Sequence, residues 1–102
     1  MGQKWPKLHV DQAARRVAVD ERAVELSDKE YALLIFLYDR ADRICSKEEI
    51  SRAVWPNYLG DVFDYQVESL IKRLRQKLEP DAEEPRLILT VRGRGYRLVR
   101  LA

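Results

Sequence analysis

The chain has 102 residues, of which 46% are apolar and 35% charged, with a formal net charge of +2. That is one domain's length, with enough apolar side chains for a core and too little net charge for a disordered chain. The lone cysteine, Cys45, and the lone histidine, His9, exclude a disulfide scaffold, a zinc site of His/Cys type and a Cys–His nucleophile pair.

Residues 1–7 read as an N-terminal tail, or as vector-derived residues, and residues 8–102 as one domain. The tail has no apolar stretch of the secretory kind. Leu8-His9-Val10, Arg16-Val17-Ala18-Val19 and Ala23-Val24-Glu25-Leu26 read as three short strands of an antiparallel sheet. Asp20-Glu21-Arg22 makes the tight connection between the second and the third. Ser27-Asp28-Lys29-Glu30 is a capping box that opens a helix to about Arg40. Tyr31, Leu34, Ile35 and Tyr38 share one of its faces, while Leu33, Phe36 and Leu37 fill the others. This spacing predicts a central helix packed on more than one side. Its apolar run, Tyr31 to Tyr38, is far shorter than the ~20 residues a membrane span needs.

Ser46-Lys47-Glu48-Glu49 is a second capping box, and its helix is stopped at Trp55 by Pro56. Trp55 reads as core, whereas Asn57, Tyr58 and Leu59 in the following turn read as a partner-facing loop. A third helix, over about 62–78, takes its cap from Asp61 or Asp64. Val67, Ile71, Leu74 and Leu78 form its apolar stripe, joined by Phe63, with Leu70 at the edge. Tyr65, Ser69, Lys72 and Gln76 lie opposite, with Gln66 and Arg73 flanking one side and Arg75 the other. Tyr65 reads equally as a staple onto the sheet or as an outer contact residue. Leu87–Val91 and Tyr96–Val99 then form a hairpin turned by Arg92-Gly93-Arg94-Gly95.

Charge follows the same division. Residues 1–61 carry a net −1 and residues 62–102 a net +3, and residues 86–102 hold five arginines and no acid. A basic helix face followed by an arginine-tipped hairpin matches duplex DNA physically. The helix fits the major groove, arginine beside glycine can enter the minor groove, and the cations engage phosphates. No glycine-rich phosphate loop follows a strand and opens a helix, and Arg92–Gly95 joins two strands, so no cofactor and no enzymatic activity are expected.

Four passages carry a resemblance: Val24 to Leu34; Arg43 to Ile50 with Ala53-Val54-Trp55; Val67 to Leu78 with Ile71-Lys72-Arg73-Leu74-Arg75; and Thr90 to Leu98. Over about residues 8–100 the chain resembles the C-terminal DNA-binding domain of OmpR/PhoB-type response regulators. The resemblance implies an α+β winged helix-turn-helix: an N-terminal antiparallel sheet, three helices and a C-terminal hairpin wing. It implies sequence-specific control of bacterial transcription in the cytoplasm. The domain would be a monomer when free and a tandem pair on direct repeats of double-stranded DNA, with RNA polymerase met by the loop holding Asn57, Tyr58 and Leu59. By position it assigns base reading to Arg73, with Ser69 and Gln66 beside it. Phosphate contacts fall to Lys72, Arg75, Tyr65, Thr90 and Tyr96, and the minor groove to Arg92 and Arg94. The chain departs from the family at Tyr65 and Leu70, where arginine and histidine are frequent, so no operator can be borrowed. The family's upstream receiver is not among the 102 residues, which points to a piece of a longer regulator or to coupling with another sensor. The competing reading is a winged helix used for protein–protein contact. Cys45, just before a helix N-terminus, is a candidate for a lowered thiol pKa.

Overall fold

A computed structural model of the chain describes residues 5–58, 60 and 62–100. Among these, the order is β1 (Leu8–Asp11), β2 (Arg16–Val19), β3 (Arg22–Val24), α1 (Asp28–Asp39), α2 (Lys47–Val54), α3 (Asp64–Leu78), β4 (Ile88–Val91) and β5 (Gly95–Leu98). The strands β1, β2 and β3 form an antiparallel sheet in that order, and β4–β5 is a separate antiparallel hairpin. This is the α+β winged-helix architecture expected from the sequence. The tail's end is packed: Pro6 is buried, and the Lys7 and Asp20 backbones are linked at 2.7 Å.

Both predicted capping boxes are present. The Ser27 hydroxyl accepts the Glu30 N–H while Glu30 accepts the Ser27 N–H, and Ser46 and Glu49 do the same for α2. Each box satisfies two backbone donors that the helix itself leaves unpaired. The helix α1 is central, but its deepest face differs from the predicted one. Glu30, Leu33, Leu34 and Leu37 are buried, whereas Tyr31, Ile35 and Tyr38 are only partly covered. The two tyrosines lie beside residues of β1, β2 and β3, where rings can stay partly wet. Ile50 and Val54 of α2, the leucines of α3, Val17 and Val19 of β2 and Leu87, Ile88 and Leu98 of the hairpin complete one core.

The start of α3 departs from expectation. Asp64 is its first residue, Asp61 lies outside the described residues, and the cap position belongs to Phe63. Phe63 has no side-chain oxygen to offer, so only half a box forms, with Gln66 Oε1 accepting the Phe63 N–H at 2.9 Å. Being extended (φ −76°, ψ 148°) rather than helical, Phe63 leaves the apolar stripe it was expected to join. It is 60% exposed. Leu70, expected at the edge, is fully buried in its place.

Candidate nucleic-acid interface

Five apolar residues of α3, Val67, Leu70, Ile71, Leu74 and Leu78, are buried. The helix therefore presents its opposite side to solvent, and Tyr65, Ser69, Lys72, Arg73 and Gln76 are all exposed there. Gln66 is half-buried and engaged in the cap just described. Tyr65 is 65% exposed, and its ring stacks on Phe63 with centroids 5.9 Å apart. At that exposure the ring is not packed on the sheet as a staple, and its stacking partner Phe63 is itself solvated.

Contacts that sequence reasoning missed hold this helix in place. Arg22, read as a turn residue, donates to the carbonyls of Lys77 and Leu78 at 2.9 and 3.1 Å. It satisfies carbonyls at the helix C-terminus, where a cation is also favoured by the dipole. Lys47 of α2 lies 3.8 Å from Asp64 and 3.5 Å from Glu68. Lys77 meets the buried carboxylate of Glu30 at 2.5 Å. The partners lie up to 56 residues apart, and no local pattern signals them.

The wing is anchored to the helix-turn-helix through its backbone. Cys45 and Tyr96 exchange N–H···O bonds of 2.7 and 2.9 Å, and the Asp42 N–H donates to the Leu98 carbonyl at 2.8 Å. Gly95 makes this possible. A Cβ there would stand 2.0 Å from the Cys45 carbonyl oxygen, and its φ is +134°. The Glu79 carboxylate, 5% exposed, accepts the N–H groups of Arg86, Leu87 and Ile88. It ties the end of α3 to the start of β4.

At the free end the hairpin turns through Arg92-Gly93-Arg94, closed by the Arg94 N–H on the Val91 carbonyl at 2.9 Å. Arg92, Arg94 and Thr90 are exposed. Tyr96, in contrast, is 5% exposed, and burial pushes its phenol pKa up. Arg75 is half-buried and donates to the Ile88 carbonyl and the Thr90 hydroxyl. Burial lowers its pKa, opposed by Tyr96 and Glu79. Trp55 packs against the core with the Lys29 ammonium 5.7 Å above its ring. Asn57 and Tyr58 are exposed, Tyr58 by 53%, and Leu59 lies outside the described residues. The thiol of Cys45 is buried, and burial raises its pKa. The thiol is thus not the lowered-pKa candidate that its place before α2 allowed, since burial disfavours the thiolate and Glu49 adds to it, against Arg40 and Arg43.

A solvated helix with a basic outer face, locked at both ends and paired with an arginine-tipped hairpin, is a distinctive surface. Residues 21–98 match the model of the family described as "Transcriptional regulatory protein, C terminal". The chain belongs to this family. As a transcriptional regulatory C-terminal domain, it is 37% identical over 96 residues to the transcriptional regulatory protein SrrA of Staphylococcus aureus, covering 92% of this chain and 39% of SrrA. The chain thus spans about two-fifths of the length of the curated relatives it matches. Among solved structures it is similar to DrrB, an OmpR/PhoB homologue of Thermotoga maritima, with a TM-score of 0.82 and 27% identity over 95% of this chain and 43% of that one. It is also similar to the DNA-binding domain of Klebsiella pneumoniae RstA, solved in complex with the RstA box. There the TM-score is 0.79 and the identity 30%, over 95% of both chains. The family is one of regulatory modules, and the fold is the winged helix-turn-helix of OmpR/PhoB-type regulators.

Proposed function

We infer that this domain binds double-stranded DNA in a sequence-specific manner to regulate transcription, with α3 in the major groove and the β4–β5 wing at the adjacent minor groove. The observation that carries this reading is the exposed row Tyr65, Ser69, Lys72, Arg73 and Gln76 on a helix whose other side is buried, beside exposed Arg92 and Arg94. Arg73 is assigned to base reading, because a guanidinium can donate two hydrogen bonds to guanine O6 and N7. Ser69 shares that face, with Gln66 at its margin. Lys72, Tyr65 and Thr90 are assigned to phosphates, and Arg92 and Arg94 to the minor groove. Tyr96, being buried, would support the wing from behind. The likeness to a DNA-binding domain solved on its DNA box supports the same reading.

Pairs of domains on direct repeats and action in the cytoplasm belong to the proposal. So does contact of Asn57, Tyr58 and Leu59 with RNA polymerase, supported by the exposed Tyr58 ring. No helix among the described residues is long and apolar enough to cross a membrane.

The test is selection of sites from a random duplex pool, followed by titration of the enriched duplex at several salt concentrations. Paired half-sites about one helical turn apart and a steep salt slope are expected. Arg73→Ala should relax preference at one base pair and cost about 1–3 kcal/mol. Lys72→Ala should weaken binding to every duplex and flatten the salt slope by about one unit. Absence of both enrichment and salt-dependent binding would reject the reading in favour of a protein-contact module.

A further inference from the structure

Arg75 stands apart from the other cations of α3. It lies on the flank of the helix beside the wing and is half-buried. Nε and Nη2 donate to the Ile88 carbonyl at 3.1 and 2.8 Å, and Nη2 also donates to Thr90 Oγ1 at 2.8 Å. The guanidinium carbon is 5.7 Å from the ring centroid of Tyr96. One side chain therefore touches both strands of the hairpin. Among the described residues, Arg75 supplies all the side-chain hydrogen bonds that run from α3 to β4 or β5. The Nε–Nη2 edge, one of the two that could grip a phosphate in the bidentate manner, is already occupied. Hydrogen bonds from a charged donor are also among the stronger ones in a protein.

We propose that Arg75 is a positioning residue that holds the wing at a fixed place relative to α3, so that base reading by the helix and minor-groove reading by the wing are coupled through it. This coupling rests on the DNA-binding reading above, whereas the latch itself is a property of the free protein. Lysine cannot replace the arginine in this role, since an ammonium lacks the planar fork that reaches Ile88 and Thr90 together. A phosphate contact, in contrast, would survive the exchange as a point charge.

The test compares Arg75→Met and Arg75→Lys with the parent chain. In the free protein, both variants should speed amide exchange in the β4–β5 ladder by about tenfold while leaving α1 unchanged. On the duplex recovered by site selection, both should keep the parent's salt slope. In the parent, the effects of Arg73→Ala and Arg92→Ala should be coupled by about two- to fivefold. In either Arg75 variant they should become additive. Unchanged ladder exchange would overturn the proposal. So would a salt slope flattened by about one unit in Arg75→Met and restored by Arg75→Lys, which is the behaviour of a phosphate contact. If the parent neither enriches a site nor binds duplex in a salt-dependent way, the DNA-binding reading falls, and the exchange measurement still decides the latch. Should Arg75→Met fail to fold, Thr90→Val removes one bond of the set and should speed ladder exchange in the same direction, and no change there would overturn the proposal.

Discussion

Glu30 does two jobs with one carboxylate. It closes the capping box of α1 and receives the Lys77 ammonium at 2.5 Å. Burial alone would raise its pKa, but Lys77 and the Ser27 hydrogen bonds outweigh burial and hold it below the ordinary 4.5. A carboxylate with a lowered folded-state pKa stabilises the fold fully above its unfolded value, and the contribution disappears as pH falls through the folded one. Lys77→Met should therefore cost about 1–2 kcal/mol at neutral pH, less than a fully buried pair because the ammonium is partly solvated. In denaturant titrations the gap between parent and variant should close as pH drops below about 4.5. A gap that stays constant down to about pH 3 would show that the pair does not titrate with folding. The cap half of this residue was readable, because Ser27 and Glu30 are three positions apart. The ion-pair half was not, since Lys77 lies 47 positions away and reads in isolation as one more cation of a basic face.

At the scale of elements, the same contrast between local and distant causes decides what could be foreseen. The strands of the first sheet, the two capped helices and the hairpin announce themselves through alternation, caps and turn residues. All are present within a residue or two of the expected bounds. The entry to α3 departs from the sequence pattern, which offers Asp61 or Asp64 as the cap, while the chain uses Phe63 and lets Gln66 reach back to it. The two wing glycines also looked alike in sequence and are not. Gly93 (φ +75°) meets nothing within 4 Å of a would-be Cβ, whereas Gly95 abuts the Cys45 carbonyl. Gly93→Ala should cost about 1 kcal/mol, for backbone conformation alone. Gly95→Ala should cost about 3 kcal/mol or more, combining strain with a backbone clash. It should also lose amide protection at Cys45 and Tyr96. Equal costs in equilibrium unfolding would contradict the packing described for Gly95.

Seen as a whole, the molecule concentrates its long-range polar contacts on one helix. Arg22 from the sheet, Glu30 from α1, Lys47 from α2 and the wing strand β4 all hold α3. Hydrogen exchange should accordingly find α3 among the last segments to open and the Arg92–Arg94 turn among the first. Arg22→Ala should speed exchange of the last turn of α3 selectively and cost about 1 kcal/mol. Uniform acceleration across the domain would argue against a local cap. The arginine was invisible as a helix cap because the sheet and the end of α3 are brought together only by the finished fold. The outward cations could be picked from the helical wheel, but the wheel could not tell which were already engaged. At the other extreme stands the wing tip: Arg92, Gly93 and Arg94 are exposed, and the hairpin's anchorage lies below them at Tyr96 and Leu98. The tip is thus a detachable cassette. Its residues can be exchanged in evolution or by grafting, provided that the middle position accepts a left-handed backbone and glycine follows at 95. Operator preference at the wing can drift while the scaffold beneath it stays unchanged.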